Sequence, residues 1–374
     1  MSDPLSGIPS GLRYFFGREA QVRRTIEDTA LAVFAGWSYE EITTPTIDYY
    51  SLFEQGMGSE ASNSFRFMDG DGKLLALRPD VTSGVARAAV TLLNRRERPL
   101  RLWYVAPVFR QHAKSQAEFR RELTQIGCEL FGVSGGPAEL EILLIAGEIF
   151  DRLGLRDDFV ITLNDVEVFN GVVENLKLDS TQRAAMRELV DSRNATDLER
   201  LVSQFASVEE SRRFADLTQL SGKGDVLDAA RQVIMNERSR AALDRLERVW
   251  EIITSLNLTD RFEIDLGDVS TLDYYTALNF KIYLKGAGVR VGSGGRYDHL
   301  TAKLGKAEPA IGFVIDLDAL TDVMLARDGQ EPEAQAEATM LRVTSNDSLT
   351  TFQEAIAARW RGERVLISPQ EVKR

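Results

Sequence analysis

The order of hydrophobic patterns along the chain limits its fold more than any other feature. Short β-patterned runs lie on both sides of a stretch, about residues 168–256, that is almost entirely helical in pattern. That stretch has mixed charges and few glycines. The strict β-α-β alternation of a dinucleotide-binding fold is missing. The pattern predicts an α+β fold: a largely antiparallel sheet flanked by helices and interrupted by a helical insertion.

The flanking runs give the elements. Ala20, Val22, Ile26, Ala30, Val33 and Phe34 recur at helical spacing over 18–37, and Gly36 sits near the C-cap. A strand over 38–43 ends before Pro45, because proline cannot donate to a ladder. Runs at 64–68 and 74–77 flank Asp69-Gly70-Asp71-Gly72, a hairpin signal. Asp80 or Thr82 caps a helix reaching about Leu93. A strand over 100–108 leads to Phe109-Arg110, and 122–130 reads as its antiparallel return. A helix over 138–153 and a strand over 159–163 precede the insertion. After it come strands at 261–266, 279–284 and 289–292. A glycine-rich turn, Gly292-Ser293-Gly294-Gly295, leads to a helix over 297–304, a strand over 310–315 and a helix over 317–325. Residues 1–326 read as one core, 327–338 as a polar acidic linker, and 339–374 as a short C-terminal α/β segment.

Composition then removes several functions. A chain of 374 residues can bury a sizeable core. No window has the apolar length of a membrane span, and the first residues lack the features of a secretory signal. Cys128 is the single cysteine, so intramolecular disulfides are excluded and a reducing cytoplasm is the expected setting. With 45 basic and 57 acidic residues the net charge is −12, which opposes nucleic-acid binding. One cysteine and two distant histidines, His112 and His299, provide no Cys/His zinc set. Neither histidine has the neighbours of a nucleophile motif, and both read as surface or capping residues.

Three constellations could carry chemistry. On the hairpin, Arg110 ends one strand, and Arg120, Arg121, Gln125 and Glu129 follow on the return. Residues 121, 125 and 129 share one face of a strand. A guanidinium can take a carboxylate in a fork, and a carboxylate or amide can take an ammonium or an imidazole N–H. That set can hold a zwitterion; it can also be a solvated face with cross-strand ion pairs. In Leu272-Asp273-Tyr274-Tyr275-Thr276, adjacent tyrosines on a strand would point to opposite faces. Gly292 to Gly295 does not match the dinucleotide fingerprint, and its glycines read as clearance for a ligand or another strand.

In combination these motifs resemble a known family. From about residue 9 to 320 the chain is similar to the catalytic core of a class II histidyl-tRNA synthetase. Pro45 sits where the first class II motif has its proline. Leu77-Arg78-Pro79-Asp80-Val81-Thr82 resembles the amino-acid-binding run. Val108-Phe109-Arg110 through Arg121-Glu122-Leu123-Thr124-Gln125-Ile126-Gly127-Cys128-Glu129 resembles the second motif. Leu272-Asp273-Tyr274-Tyr275-Thr276 and Gly294-Gly295-Arg296-Tyr297-Asp298 resemble two histidine-specific motifs. The resemblance implies a histidine pocket. In it Asp80, Thr82 and Gln125 face the α-ammonium, Arg110 the carboxylate, and Glu129 and Tyr274 the imidazole, with Tyr275 packing nearby.

Departures from the pattern redirect the function. Ser270 stands where the resemblance implies a basic residue that assists adenylation. Ala319 stands where it implies an arginine on the ATP γ-phosphate, with Asp316 and Asp318 close by. Such cations carry phosphoryl-transfer-type chemistry. Only about forty residues follow the linker, too few for an anticodon-binding domain. A core of this kind resembles the regulatory subunit of ATP phosphoribosyltransferase. That resemblance implies a non-catalytic subunit that activates the short-form catalytic subunit in the first step of histidine biosynthesis and takes part in feedback by L-histidine. It further implies a dimer within a hetero-octamer, allosteric regulation, no cofactor, no tRNA partner and no membrane partner. Two alternatives stay open: a divergent histidine-adenylating enzyme, and a histidine sensor for another partner.

Overall fold

The computed structural model describes residues 7–112, 120–176, 178–268, 275–327, 339–343 and 348–369. They fall into two compact units, Met1–Leu325 and Ala326–Arg374.

In the first unit, helix α1 (Gly17–Gly36) is followed by strands β1 (Glu40–Glu41) and β2 (Ile47–Tyr49). Helix α2 (Tyr50–Met57) leads to β3 (Arg66–Met68), β4 (Leu74–Leu77) and α3 (Thr82–Val90). The long hairpin is β5 (Leu100–Phe109) and β6 (Glu122–Phe131). Helix α4 (Gly136–Arg152) and strand β7 (Phe159–Asp165) then precede the insertion. The insertion is helical as expected: α5 (Val166–Val173), α6 (Ser180–Asp191), α7 (Ala195–Val202), α8 (Val208–Leu217), α9 (Asp225–Val233) and α10 (Glu237–Ser255). A two-residue strand, β8 (Ser221–Gly222), interrupts it. The core resumes with β9 (Phe262–Asp265), β10 (Leu278–Leu284), β11 (Gly292–Arg296), α11 (Asp298–Lys303), β12 (Ala310–Asp316) and α12 (Leu317–Arg327).

Nine of these strands form one sheet in the order β1-β5-β6-β12-β11-β10-β7-β9-β8. Within it only β1·β5 and β7·β9 pair in parallel. The remaining three strands form a small sheet, β2-β4-β3. Period-two alternation sorts the side chains of the hairpin. Ile126, Cys128 and Leu130 face a core built with Ile26, Ala30, Val33 and Phe34 of α1 and with α4. Leu123 and Phe131 face the other side, where Val85 of α3 and Leu300 of α11 pack. On that second side the covering helices are short, and the strands between them are left open. No helix among the described residues is long and apolar enough to cross a membrane.

The second unit contains a parallel pair, β13 (Thr339–Val343) and β14 (Val365–Pro369), joined through α13 (Ser348–Trp360).

Several local expectations need correction. The stretch Gly292 to Gly295 is not a turn but most of strand β11. A Cβ on Gly292 would stand 2.8 Å from Val314 O, and one on Gly294 would stand 2.5 Å from Gly312 O. The glycines let β11 lie tightly against β12, so the clearance reading holds and the turn reading does not. The strand expected over 38–43 shrinks to Glu40–Glu41. Tyr275 and Thr276 precede β10 rather than lie in a strand. Tyr274 and Ser270 lie outside the described residues, as do 113–119 and most of the expected linker.

Candidate functional site

A cavity of about 370 Å³ opens on the less covered side of the sheet. Asp80, Thr82, Arg110, Gln125, Glu129 and Tyr275 all line it. Register explains the convergence. Gln125 pairs with Ala106 on one side and with Asp316 on the other, and Glu129 pairs with Leu102 and Gly312. Asp80 and Thr82 enter from the start of α3, where Asp80 Oδ2 accepts from Ser83 N at 3.3 Å and Ser83 Oγ at 3.0 Å. Thr82 caps nothing; its hydroxyl turns to Glu129.

Glu129 is the inner end of the cavity and is 1% exposed. Its Oε1 accepts from Thr82 Oγ1 at 2.8 Å and Tyr104 OH at 3.2 Å, and its Oε2 accepts from Tyr297 OH at 2.6 Å. A carboxylate has about four lone-pair sites. Three hydroxyls therefore leave one acceptor site on Oε2. Burial pushes the acid up to about 7, against the pull of the Tyr297, Thr82 and Tyr104 hydroxyls. A buried carboxylate of this kind is suited to a ligand N–H.

Further out, two acceptors have no donor. Asp80 Oδ1 and Gln125 Oε1 are buried and accept no hydrogen bond among the described residues. Burial pushes Asp80 up to about 6, opposed by its bonds to Ser83 and by the charge of Arg110. Orphaned buried acceptors are rare, because each costs free energy until a donor arrives. Opposite in charge, Arg110 lines the same cavity. Burial and the Arg290 guanidinium draw it down from its ordinary value, against the fields of Asp316, Glu60 and Asp80. No ion pair of Arg110 or Arg290 within salt-bridge distance occurs among the described residues. The cavity thus offers acceptors, a cation without a salt bridge and an N–H receptor, the complement of an amino acid with a nitrogenous ring.

The arginine expected on the pocket floor is a different one. Arg121 lies one residue before β6 begins, so strand alternation does not hold it on the floor. Its guanidinium sits 4.6 Å over the Phe65 ring instead. Arg120 lines the cavity, at its mouth, where it pairs with Asp322. Outside the cavity lining, Arg23 pairs with Asp318 and donates to Thr124 Oγ1 at 2.9 Å, and Arg13 reaches Asp322 at 3.2 Å. Ala319 is also at this mouth. His112 and His299 are both exposed, and His112 adds only one edge of the cavity wall.

The sequence reading does not include Tyr104, Tyr297 or Arg290 among the site residues. A signal exists for Tyr104: it pairs directly across from Gly127, and a Cβ there would stand 2.7 Å from the Tyr104 hydroxyl. A glycine inside a strand marks a close approach. Arg290 leaves no signal, since it lies on the connection before β11, where no strand period applies.

The family described as histidyl-tRNA synthetase matches residues 11–320. An ATP phosphoribosyltransferase regulatory subunit of Moorella thermoacetica is 35% identical over 98% of this chain and 93% of its own length. The chain belongs to the ATP phosphoribosyltransferase regulatory subunit family. Another regulatory subunit, from Caldanaerobacter subterraneus subsp. tengcongensis, is 32% identical over 96% of this chain and 93% of its own. A Bacillus halodurans structure described as an ATP phosphoribosyltransferase regulatory subunit/histidyl-tRNA synthetase superposes with a TM-score of 0.84. It covers 98% of this chain and 94% of its own, at 24% identity, and supports the class II synthetase-like fold. Regulatory subunits of this family serve histidine biosynthesis and are non-catalytic.

Proposed function

We propose that the cavity binds free L-histidine, and that the chain uses this binding to tune a short-form ATP phosphoribosyltransferase catalytic subunit. The observation that carries the reading is the set of unmet partners in one cavity. Among the described residues Asp80 Oδ1 and Gln125 Oε1 lack donors, Arg110 lacks a carboxylate at salt-bridge distance, and Glu129 keeps one acceptor site. An α-ammonium, an α-carboxylate and an imidazole N–H meet all of them at once. Tyr274 and Tyr275 complete the ring's enclosure in this reading.

Regulation follows from linkage. Histidine shifts an assembly between more and less active states by no more than its differential affinity for them. The relatives' names support a catalytic partner, and the resemblance supports a self-paired dimer within a hetero-octamer. A net charge of −12 supports the absence of tRNA from that assembly. The lone, buried Cys128 is consistent with work in the cytoplasm.

Calorimetric titration of histidine between about pH 5 and 8 tests the pocket. Binding an ammonium favours ionised Asp80, so binding releases a proton wherever the free carboxyl is protonated. Ionised Glu129 is favoured by the ring N–H in the same way, so the affinity is expected to fall as pH drops through about 7 and more steeply below about 6. Histidinol, which lacks the carboxylate on Arg110, is expected to bind at least about tenfold more weakly. Equal affinity for the two ligands, or an affinity that rises on acidification, would contradict this placement.

A further inference from the structure

Five strands of the large sheet contribute one residue each to a single row that starts at the inner end of the cavity. Register places Glu129 of β6 beside Gly312 of β12, Gly312 beside Gly295 of β11, Gly295 beside Asn279 of β10, and Asn279 beside Asn164 of β7. Residues directly opposite one another share a face of the sheet. With strands about 4.8 Å apart, the row is about 19 Å long. Its two glycines leave room above the backbone, and the Tyr275 ring occupies part of it. A Cβ on Gly295 would stand 2.7 Å from Tyr275 Cε1. Tyr275 also lines the cavity. The ring therefore stands over the row where it passes from the cavity toward Asn279.

The far end of the row is polar and buried. Asn164 Nδ2 and Asn279 Nδ2 both donate to Asp268 O, at 2.9 and 3.2 Å. Thr162 Oγ1 donates to Asp268 Oδ2 at 3.2 Å, and Lys281 forms an ion pair with the same carboxylate. Such a cluster adds little net stability over apolar packing, and its best-attested use is to fix one arrangement. The helical insertion grips the same segment from outside. Ser221 of β8 pairs with Asp265 of β9. Arg193, between α6 and α7, donates to Thr218 O at 2.5 Å and pairs with Asp265. Lys281 Nζ also reaches Asp191 Oδ1, at the end of α6, at 3.4 Å. Gly267 permits the approach, since a Cβ there would overlap Thr218 O and the Arg193 guanidinium. Arg193, Asp268 and Lys281 do not themselves line the cavity.

We propose that this row links the helical insertion to the amino-acid cavity, with Arg193, Asp268 and Lys281 as positioning residues for the Tyr275 wall. The inference rests on the histidine reading and adds a route of regulation to it. Tyr275 rests on Gly295, whose neighbour Asn279 holds Asp268. A ligand that fixes the ring fixes Asp268 with it, and so steadies the grip of Arg193 on Asp265. Linkage makes the effect reciprocal: an insertion held in place favours the occupied cavity by the same factor. The signal leaves the cavity through the sheet, not through a contact between ligand and insertion.

The test is amide hydrogen exchange on the full-length chain, with and without saturating L-histidine. In wild type, histidine is expected to slow exchange at least about fivefold in α6 and over 262–268, as well as in β6 and β12. Arg193→Gln is expected to keep the protection of β6 and β12 at saturation and to lose that of α6. It is also expected to need at least about fivefold more histidine for half-saturation. Arg193→Lys, which keeps a cation beside Asp265, is expected to fall between the two. Arg200→Gln, exposed on α7, controls for charge in the insertion and is expected to behave as wild type. Should Arg193→Gln fail to fold, Asp191→Asn at the exposed end of α6 is read in its place. Protection confined to the cavity strands of wild type would overturn the inference. So would a folded Arg193→Gln with wild-type affinity and wild-type protection of α6, or equal losses in Arg200→Gln. A wild type that takes up no histidine sinks the pocket reading, and the ligand-free proteins then decide the linkage. In them Arg193→Gln is expected to speed exchange of the Thr276 amide, which donates to Arg296 O at 2.8 Å, at least about fivefold. An unchanged Thr276 rate would overturn the linkage without any ligand.

Discussion

Glu129→Gln is expected to stabilise the ligand-free protein at about pH 8 while removing most of its affinity for histidine. The folded protein holds the Glu129 acid up to about 7, against 4.5 for the ordinary group. Folded protein therefore binds more protons than unfolded protein between those values. Stability falls as pH rises through that window, and the cost is complete above about pH 7. A displacement of this size corresponds to about 3 kcal/mol. Glutamine carries no charge to desolvate and keeps the shape, and hydroxyls can turn to suit it. The variant's unfolding free energy should exceed wild type's by up to about 3 kcal/mol at that pH, with the gap closing below pH 4.5. Its histidine affinity should drop about a hundredfold, since a charge-assisted bond to the ring is lost. Denaturant melts at two pH values and one titration check both halves. A variant that melts below wild type in the alkaline buffer would show that the carboxylate is a structural asset, not a burial cost retained for a ligand.

Gly312→Ala is expected to be among the most damaging single-methyl changes in the chain. A Cβ at that position would overlap both Glu129 Oε2 and Cys128 O. One of those atoms is backbone of the paired strand β6 and cannot step aside. The other is the oxygen bonded to Tyr297. Overpacking of this kind costs about 1–3 kcal/mol and occasionally more, and here relief requires swinging Glu129 away from its hydroxyls. The strand cannot shift to share the strain, because Ile311 and Phe313 on either side are buried core residues. Thermal unfolding should drop by several degrees, and histidine binding should vanish in whatever remains folded. A melt within about one degree of wild type, with histidine binding intact, would show that the two strands separate more freely than this register implies.

These residues also show what is legible in the sequence. The hairpin of β5 and β6 is readable because both strands alternate over ten residues and the apolar half must be buried. The insertion is readable because its helices carry amphipathic faces and good caps, such as the reciprocal bonds of Ser207 and Glu210. Gln125 and Glu129 are readable as neighbours on one strand face. Arg121 departs from that face because period two stops where the ladder stops, and one residue beyond it the side chain follows local packing on Phe65. The glycines of β11 suggest a turn because glycine favours turns in isolation; close packing against β12 decides otherwise. The ion pairs of Arg23 and Arg13 are hidden for another reason. Arg23 and Asp318 are 295 positions apart, and Arg13 and Asp322 are 309 apart, so only the fold brings them together.

The central claim is that this chain regulates rather than catalyses, and that histidine speaks through it. The most direct measurement is the ATP phosphoribosyltransferase activity of a short-form catalytic subunit from the same source. It should be assayed alone, with this protein, and with this protein plus histidine. The account predicts strong activation that histidine weakens, and a mixture that co-elutes as one larger assembly. Unchanged activity from a catalytic subunit that also elutes apart from this protein would contradict it.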